Sequence, residues 1–444
     1  MKILLVQSME YLYPYGGAHK ANRILMEGLA AKGHECRVIS PAVSITGFEE
    51  LLSAQLRSGA IEVLEDHPGE KLVILKSGVI SYTIKERFKV FPFIRSIIEQ
   101  FSPDITVVSE DNTHLLLETV LETGTRSIYL SHSQATLPFG PECFQEDLSK
   151  IDLYKRLDGI ISVSEYLKDY FTAYAGVDSE VIYFPSYGPG PFPFLASFDN
   201  MYITAINPSA IKGFSIFIGL ARKMPYLNFA AVPTWATKED ELEEMRALPN
   251  ITILKPAENI NDIYKQTKVF LMPSLWGESF GQVVVEAMLR GIPVLASHVG
   301  GLPEAKQQLD YILPVRPIRE YVKEEVLADS VPIPVIPEQE LGPWVEALDR
   351  LTSDRDHYES LSAASYEHAN RFHASLGIEP FEAYFRKVID KAEDRIQGET
   401  AAASASASAM DQAHTRHKSE VLERIQTLPS EKRDRLLAML QERR

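Results

Sequence analysis

The stretch from Pro273 to Glu304, with the apolar run just before it, limits the possible folds more than any other part of the chain. Val269-Phe-Leu-Met272 is apolar and short enough for a buried strand. A loop from Ser274 to Gly281 follows and carries Glu278 among small and aromatic residues. From Gln282 the period turns helical, with Val285, Met288 and Leu289 at three- and four-residue spacing, and Gly291 stands where a helix stops. Pro293 to Ser297 reads as another buried strand, ending in Gly300-Gly301. Strand, loop, helix, strand and glycine turn in that order predict a parallel, doubly wound α/β sheet.

Two carboxylates stand out in this stretch. Glu278 sits in the loop and Glu286 about one turn into the helix. A helix start offers unpaired N–H groups and a partial positive charge, which suits an anion. A carboxylate set back from that end can accept hydrogen bonds from a ribose diol whose phosphates lie at the helix start. On spacing alone the plainer reading is favoured: a first-turn charge and a solvated helix residue.

The same grammar recurs along the chain. Lys2 to Val6 is a first strand, Gly16-Gly17 closes a loop, a helix runs from about Ala18 to Ala31, and Cys36 to Ser40 is a second strand. Glycines at such a helix start can cradle phosphate, and a plain turn explains them about as well. Asp104 to Val108 and Ser127 to Leu130 are further strands, with Asp111 and His132 just beyond their carboxyl ends, where open parallel sheets bind ligands. A lone histidine is more often an ordinary polar residue. Residues 44–100 show few sharp boundaries. Residues 134–150, rich in Pro, Gly and acidic residues, read as a loop, and Ser164 is a candidate helix cap. The Pro/Gly cluster after Phe184 reads as a hinge. A second domain opens with a strand at Tyr202 to Ile206 and continues with strands at 228–232 and 251–254 and helices near 238–247 and 260–266. The expected organisation is residues 1–188, residues 189–377, and a further helix at 378–396. Between them, residues 314–343 are proline-rich and read as an extended excursion, followed by helices at Trp344–Leu351 and 357–372.

Composition removes several function classes. The 444 residues are 45% hydrophobic and 24% charged, with a formal net charge of −16, which leaves no electrostatic footprint for nucleic acid. The two cysteines, Cys36 and Cys143, give no metal framework and suit a reducing compartment. The opening MKILLVQSMEYLYPYGG reads as a first strand and not a signal peptide, and there is no uninterrupted apolar run near 18 residues. A cytoplasmic protein without a membrane span is expected.

Glu278-Ser-Phe-Gly-Gln-Val-Val-Val-Glu286, then Ala287 and Gly291-Ile-Pro-Val, resembles the E-x7-E signature of the retaining family 4 glycosyltransferases of GT-B fold. The resemblance covers about residues 1–396. It implies two Rossmann-like domains facing a cleft, the first on the acceptor side with the loop 134–150 lining it and the helix at 378–396 crossing back to it. It also implies that Glu278 approaches a sugar hydroxyl, that the amides of Ser279, Phe280 and Gly281 hold sugar and phosphate, and that Glu286 binds the nucleotide ribose. By the same resemblance Gly16 and Gly17 face the diphosphate, and His132 stands near the transferred sugar, followed by Ser133 where the family often has Asp. Lys212-Gly213 matches the diphosphate-binding lysine. Asn207 stands where the family has arginine, and asparagine can bond a phosphate but not neutralise it.

The expected activity is retaining transfer from a nucleotide sugar, most simply a UDP-sugar, to a small-molecule natural product or saccharide. The nucleotide sugar is a co-substrate and no other cofactor is implied. No Asp-x-Asp motif lies at a strand end, so no obligatory metal is expected, and a front-face mechanism fits the lack of an opposed carboxylate. Rival readings are a catalytically silent partner-binding subunit and a nucleotide-sugar epimerase. Residues 399–413 read as an Ala/Ser linker, and 414–444 as a helical tail with apolar stripes suited to docking on a protein partner, vaguely like the docking segments of natural-product assembly lines.

Overall fold

Two sets of short apolar segments close into two separate sheets. This computed structural model describes residues 1–13, 16–41, 48–67, 70–109, 111–257, 259–322 and 333–391, together with Ser419, Glu423 and Thr427. The first sheet holds β1 (Lys2–Gln7), β2 (Glu35–Pro41), β3 (Ile61–His67), β4 (Glu70–Leu75), β5 (Ile80–Ile84), β6 (Ile105–Ser109), β7 (Ser127–Ser131), β8 (Gly159–Ser162) and β9 (Glu180–Val181). Its order is β3-β4-β5-β2-β1-β6-β7-β8-β9. The second holds β10 (Tyr202–Ile206), β11 (Asn228–Val232), β12 (Ile251–Ile253), β13 (Thr267–Met272), β14 (Val294–Ser297) and β15 (Ile312–Leu313), in the order β12-β11-β10-β13-β14-β15 with every pair parallel.

The apolar runs explain the parallel strands. Every residue of β6, β7 and β14 is buried, as expected of strands covered on both faces. The antiparallel addition β3-β4 is different. Only Ile61 of β3 is fully buried, and Glu62, Glu65, Asp66 and His67 face solvent. An edge strand of that kind carries no apolar run, which is why residues 44–100 gave few boundaries. They hold the helix Phe48–Arg57, β3 to β5 and the helix Val90–Phe101.

Strand order reverses between β1 and β6 in the first sheet and between β10 and β13 in the second. These are the places where doubly wound sheets open a crevice at their carboxyl ends. The helices Gly342–Ser353 and Arg355–Ala374 cover the second sheet, with Trp344, Leu348, Leu351 and Tyr358 buried against Phe217, Phe229 and Leu271. Asp354 between them caps the second helix by accepting from the His357 N–H at 3.0 Å. Ser164 caps the helix Glu165–Ala175, accepting from the Leu167 N–H at 3.1 Å. The chain then returns to the first lobe. The Phe381 ring lies 4.6 Å from that of Phe184, and the Tyr384 hydroxyl meets the Ile160 backbone at 3.2 Å, at the start of a helix over 379–391.

Within the proline-rich excursion a bridge joins Tyr321 to Pro334, and residues 323–332 lie outside the described residues. Residues 399–444 also lie outside them, apart from the three already named. Among the described residues, no helix is long and apolar enough to cross a membrane.

Candidate active site

The site grows from the carboxyl ends of β10 and β13. Asn207 leaves β10 with φ +57, a left-handed conformation that asparagine tolerates better than most side chains. Its N–H donates to the Val232 carbonyl at 2.8 Å. Its Oδ1 accepts from the Ala236 N–H at 3.1 Å and the Thr237 hydroxyl at 3.3 Å. The side chain therefore ties β10 to the loop after β11. A turn at Ala210–Lys212 follows, ending in Gly213 at φ +78. A Cβ at Gly213 would overlap the Pro273 carbonyl oxygen, so only glycine lets this turn pack directly on the end of β13. The Leu275 N–H donates to the Ile211 carbonyl at 2.9 Å and holds the two ends together.

That packing lays Lys212 over the 274–281 loop. Its Nζ is 2.5 Å from Glu278 Oε1 and 4.7 Å from the centre of the Trp276 ring. Glu278 Oε1 also accepts from the Ser274 hydroxyl at 2.5 Å and from Trp276 Nε1 at 2.8 Å. Glu278 is 8% exposed, so the ion pair is largely screened from water. Gly300-Gly301, read from sequence as a plain turn after a strand, fixes the loop from below. The Gly301 N–H donates to the Glu278 carbonyl at 2.6 Å, and a Cβ on either glycine would press on the backbone of Glu278 to Phe280.

The loop's amides at Ser279, Phe280 and Gly281 lead into the helix Gln282–Met288, which starts after Gly281 at φ +105. Glu286 is its fifth residue and half-buried. Burial raises its pKa, and Lys20 and Arg290 oppose that rise. Lys20 belongs to the other lobe. It lies in the first turn of the helix Gly17–Ala31, which opens at Gly16 with φ +89. A Cβ on Gly17 would stand 3.1 Å from Gln282 Oε1. The two helix starts thus face each other, with the Gln282 side chain between them. Sequence reasoning passed over Lys20 and Gln282, although each follows a glycine already singled out.

The remaining candidates come from the first sheet. His132, beyond β7, is buried, packs 4.9 Å from the Phe184 ring and meets Asn22 Oδ1 through Nε2 at 2.7 Å. Burial, with His19 nearby, pushes its pKa down to about 3. Asp111 is buried in a turn: its carboxylate accepts from the Leu117 N–H and the Thr113 hydroxyl, both at 3.0 Å. Those bonds lead into the helix Leu115–Glu122.

Two side chains that sequence reasoning missed bridge the lobes. Gln134 Nε2 donates to the Gly277 carbonyl and to Glu142 Oε2, the latter at 2.8 Å, while its Oε1 accepts from the Ser279 hydroxyl at 2.9 Å. The Tyr166 hydroxyl joins the same Glu142 oxygen at 2.8 Å, and Phe144 stacks on Trp276 at 6.3 Å. The residues read as an acceptor-side loop thus rest on the Glu278 loop. Glu304 makes the second bridge. Its carboxylate accepts from the Glu165 N–H at 3.0 Å and the Tyr183 hydroxyl at 2.5 Å, so an acidic side chain of one lobe caps a helix of the other. One lysine, two carboxylates and the loop 279–281 therefore lie at the carboxyl ends of β10 and β13 or in the helix that follows, with a glycine-led helix start facing Gln282. Such a set can hold an anion that carries neighbouring hydroxyls.

Comparison with known proteins bears on the family and the fold. Residues 15–185 match a model described as Glycosyltransferase Family 4, and residues 205–324 one described as Glycosyl transferases group 1. An uncharacterised 42.6 kDa protein in the cps region of Klebsiella pneumoniae is 25% identical over 391 residues, covering 76% of this chain and 93% of that protein. The D-inositol 3-phosphate glycosyltransferase of Mycolicibacterium smegmatis is 31% identical over 132 residues, 29% of this chain and a 25% share of that enzyme. The crystal structure of Anabaena HepE with UDP-glucose superposes with a TM-score of 0.59 at 14% identity, covering 88% of this chain and 100% of that one. A glycosyltransferase from Rickettsia africae gives 0.59 at 14% identity, over 87% of this chain and 98% of that one. With a family 4 domain in its first lobe, a group 1 domain in its second and the GT-B arrangement of both, the chain is a glycosyltransferase.

Proposed function

We propose that the protein transfers a sugar from a UDP-sugar to a hydroxyl of a saccharide or small-molecule natural product, with retention at the anomeric carbon. The observation that carries this reading is Lys212 held on Glu278 and Trp276 at the β10/β13 switch point, opposite the Gly16-Gly17 helix start. As the glycosidic bond breaks, charge builds on the leaving diphosphate. Preorganised donors aimed at that charge supply most of the catalysis. In this reading the diphosphate draws Lys212 away from Glu278, and the freed carboxylate accepts from a sugar hydroxyl. The amides of Ser279 to Gly281 and Lys20 complete the grip, and Glu286 takes the ribose. Asn207 stays in its loop, so Lys20 is the second cation.

The acceptor hydroxyl gives its proton to the leaving phosphate on the same face of the sugar, and no resident metal is required. Lobe closure through Gln134 and Glu304 excludes water and suppresses hydrolysis. Free Cys36 and Cys143 fit action in the cytoplasm, and residues 414–444 serve as a tethered docking element. The test is to incubate the full-length protein with UDP-, GDP-, ADP- and dTDP-sugars and an acceptor panel, with and without EDTA. The expected result is UDP release with an α-linked product from an α-linked donor, unchanged by EDTA. Binding of none of these donors sinks the reading, and an epimerised sugar without transfer replaces it with an epimerase.

A further inference from the structure

At the switch point of the first sheet, four polar side chains form a buried chain. Gln7 and Ser109 are register partners at the ends of β1 and β6. Asn22, fully buried in the helix above them, reaches both: Nδ2 lies 3.0 Å from Gln7 Oε1 and 3.0 Å from Ser109 Oγ. Its other amide atom, Oδ1, lies 2.7 Å from His132 Nε2.

The orientation of this chain follows from its first link. The Gln7 amide atom 2.8 Å from the Met9 carbonyl must be the nitrogen, because a carbonyl only accepts. The other Gln7 atom is then oxygen, and the Asn22 atom facing it must be the NH2. That leaves the Asn22 oxygen towards His132. An oxygen acceptor obliges Nε2 to carry the proton, and which ring nitrogen is protonated is set by such a partner.

We infer that Asn22 is a positioning residue that fixes His132 as the neutral Nε2–H tautomer, so that Nδ1 can accept a hydrogen bond but cannot donate a proton. In that tautomer the ring has no Nδ1 proton to give, and His132 does not act as an acid towards the leaving phosphate. The assignment deepens the glycosyl-transfer reading and rests on it for the identity of the substrate. Among the described residues, the ionisable group whose charge reaches His132 is His19, one helical turn before Asn22; Phe184, packed on the ring, carries no charge.

The test is the long-range proton–nitrogen spectrum of the full-length protein labelled with 15N-histidine, with His132→Gln used to assign the ring. The expected wild-type spectrum shows Nε2 protonated and Nδ1 bare, unchanged between about pH 8 and about pH 5. Asn22→Leu is expected to release the tautomer and lower kcat/KM at least about tenfold, on the order of one buried hydrogen bond. Asn22→Asp keeps an acceptor and adds a negative charge. It is expected to preserve the tautomer, raise the His132 pKa and give the kcat/KM profile a new acid limb. A proton on Nδ1 in the wild type overturns the inference, as does an Asn22→Leu protein with an unaltered spectrum. The spectra decide the tautomer whether or not any sugar is transferred, so failure of the donor screen and failure of this assignment are read separately.

Discussion

Residue by residue, the site is a set of charges with prior commitments. Lys212 and Glu278 largely cancel each other, so a nucleotide diphosphate needs further positive charge. Lys212→Ala is expected to lower kcat/KM by about a hundredfold or more, the scale on which one preorganised donor to a developing anion is missed. Lys20→Ala is expected to weaken UDP binding by calorimetry. If it leaves both affinity and turnover at wild-type values, the cation opposite Glu286 must be sought elsewhere. Asn207→Arg places a bulky side chain at φ +57 and strips two donors of their acceptor. The protein is expected to lose about 1–3 kcal/mol by urea unfolding and to gain no rate.

Glu10 makes a separate claim. Its carboxyl is buried, Oε2 meets no hydrogen-bond partner among the described residues, and burial pushes its pKa up to about 7. The folded state then holds a proton that the unfolded chain releases near the ordinary carboxyl value of 4.5. Stability present below that value is lost as pH rises towards about 7, by an amount on the order of 3 kcal/mol. Glu10→Gln should remove most of this slope. Parallel urea midpoints for variant and wild type at pH 5 and pH 8 would count against it.

At the scale of elements, the two loops that end β10 and β13 matter more than the helices that follow. Glycines pack them together: Gly213 lies on the Pro273 carbonyl, and Gly300-Gly301 lie on the backbone of residues 278–280; this was partly legible. Glu278, Glu286 and Lys212-Gly213 stood out as motif residues, and the strand–loop–helix order gave the sheet. The reason for Gly300-Gly301 was not legible, because its partner is the backbone of residues 278–280, over twenty positions earlier. Gln134 and Glu304 were missed for the same reason. A polar side chain that crosses a cleft leaves no period in either segment. The edge strand β3 was missed because a half-exposed strand lacks the apolar run by which buried ones are found. Glu304→Ala removes a cap supplied by the opposite lobe. It is expected to cost about 1 kcal/mol in the helix Glu165–Ala175 and to raise the KM for donor more than it lowers kcat. An unchanged KM would mean that this contact does not assist closure.

Across the whole molecule, the two lobes are joined by side chains that touch the residues proposed to bind the nucleotide sugar. Ser279 bonds Gln134, and Gly277 lies against the Glu142 carboxylate and 2.6 Å, measured from an added Cβ, from the Tyr166 hydroxyl. Gly277 needs no left-handed backbone, so alanine is compatible with its local conformation. The added methyl group would act as a doorstop. It leaves each lobe intact and holds the entrance ajar, turning the resting balance between shut and open forms into something an experimenter can set with one carbon atom.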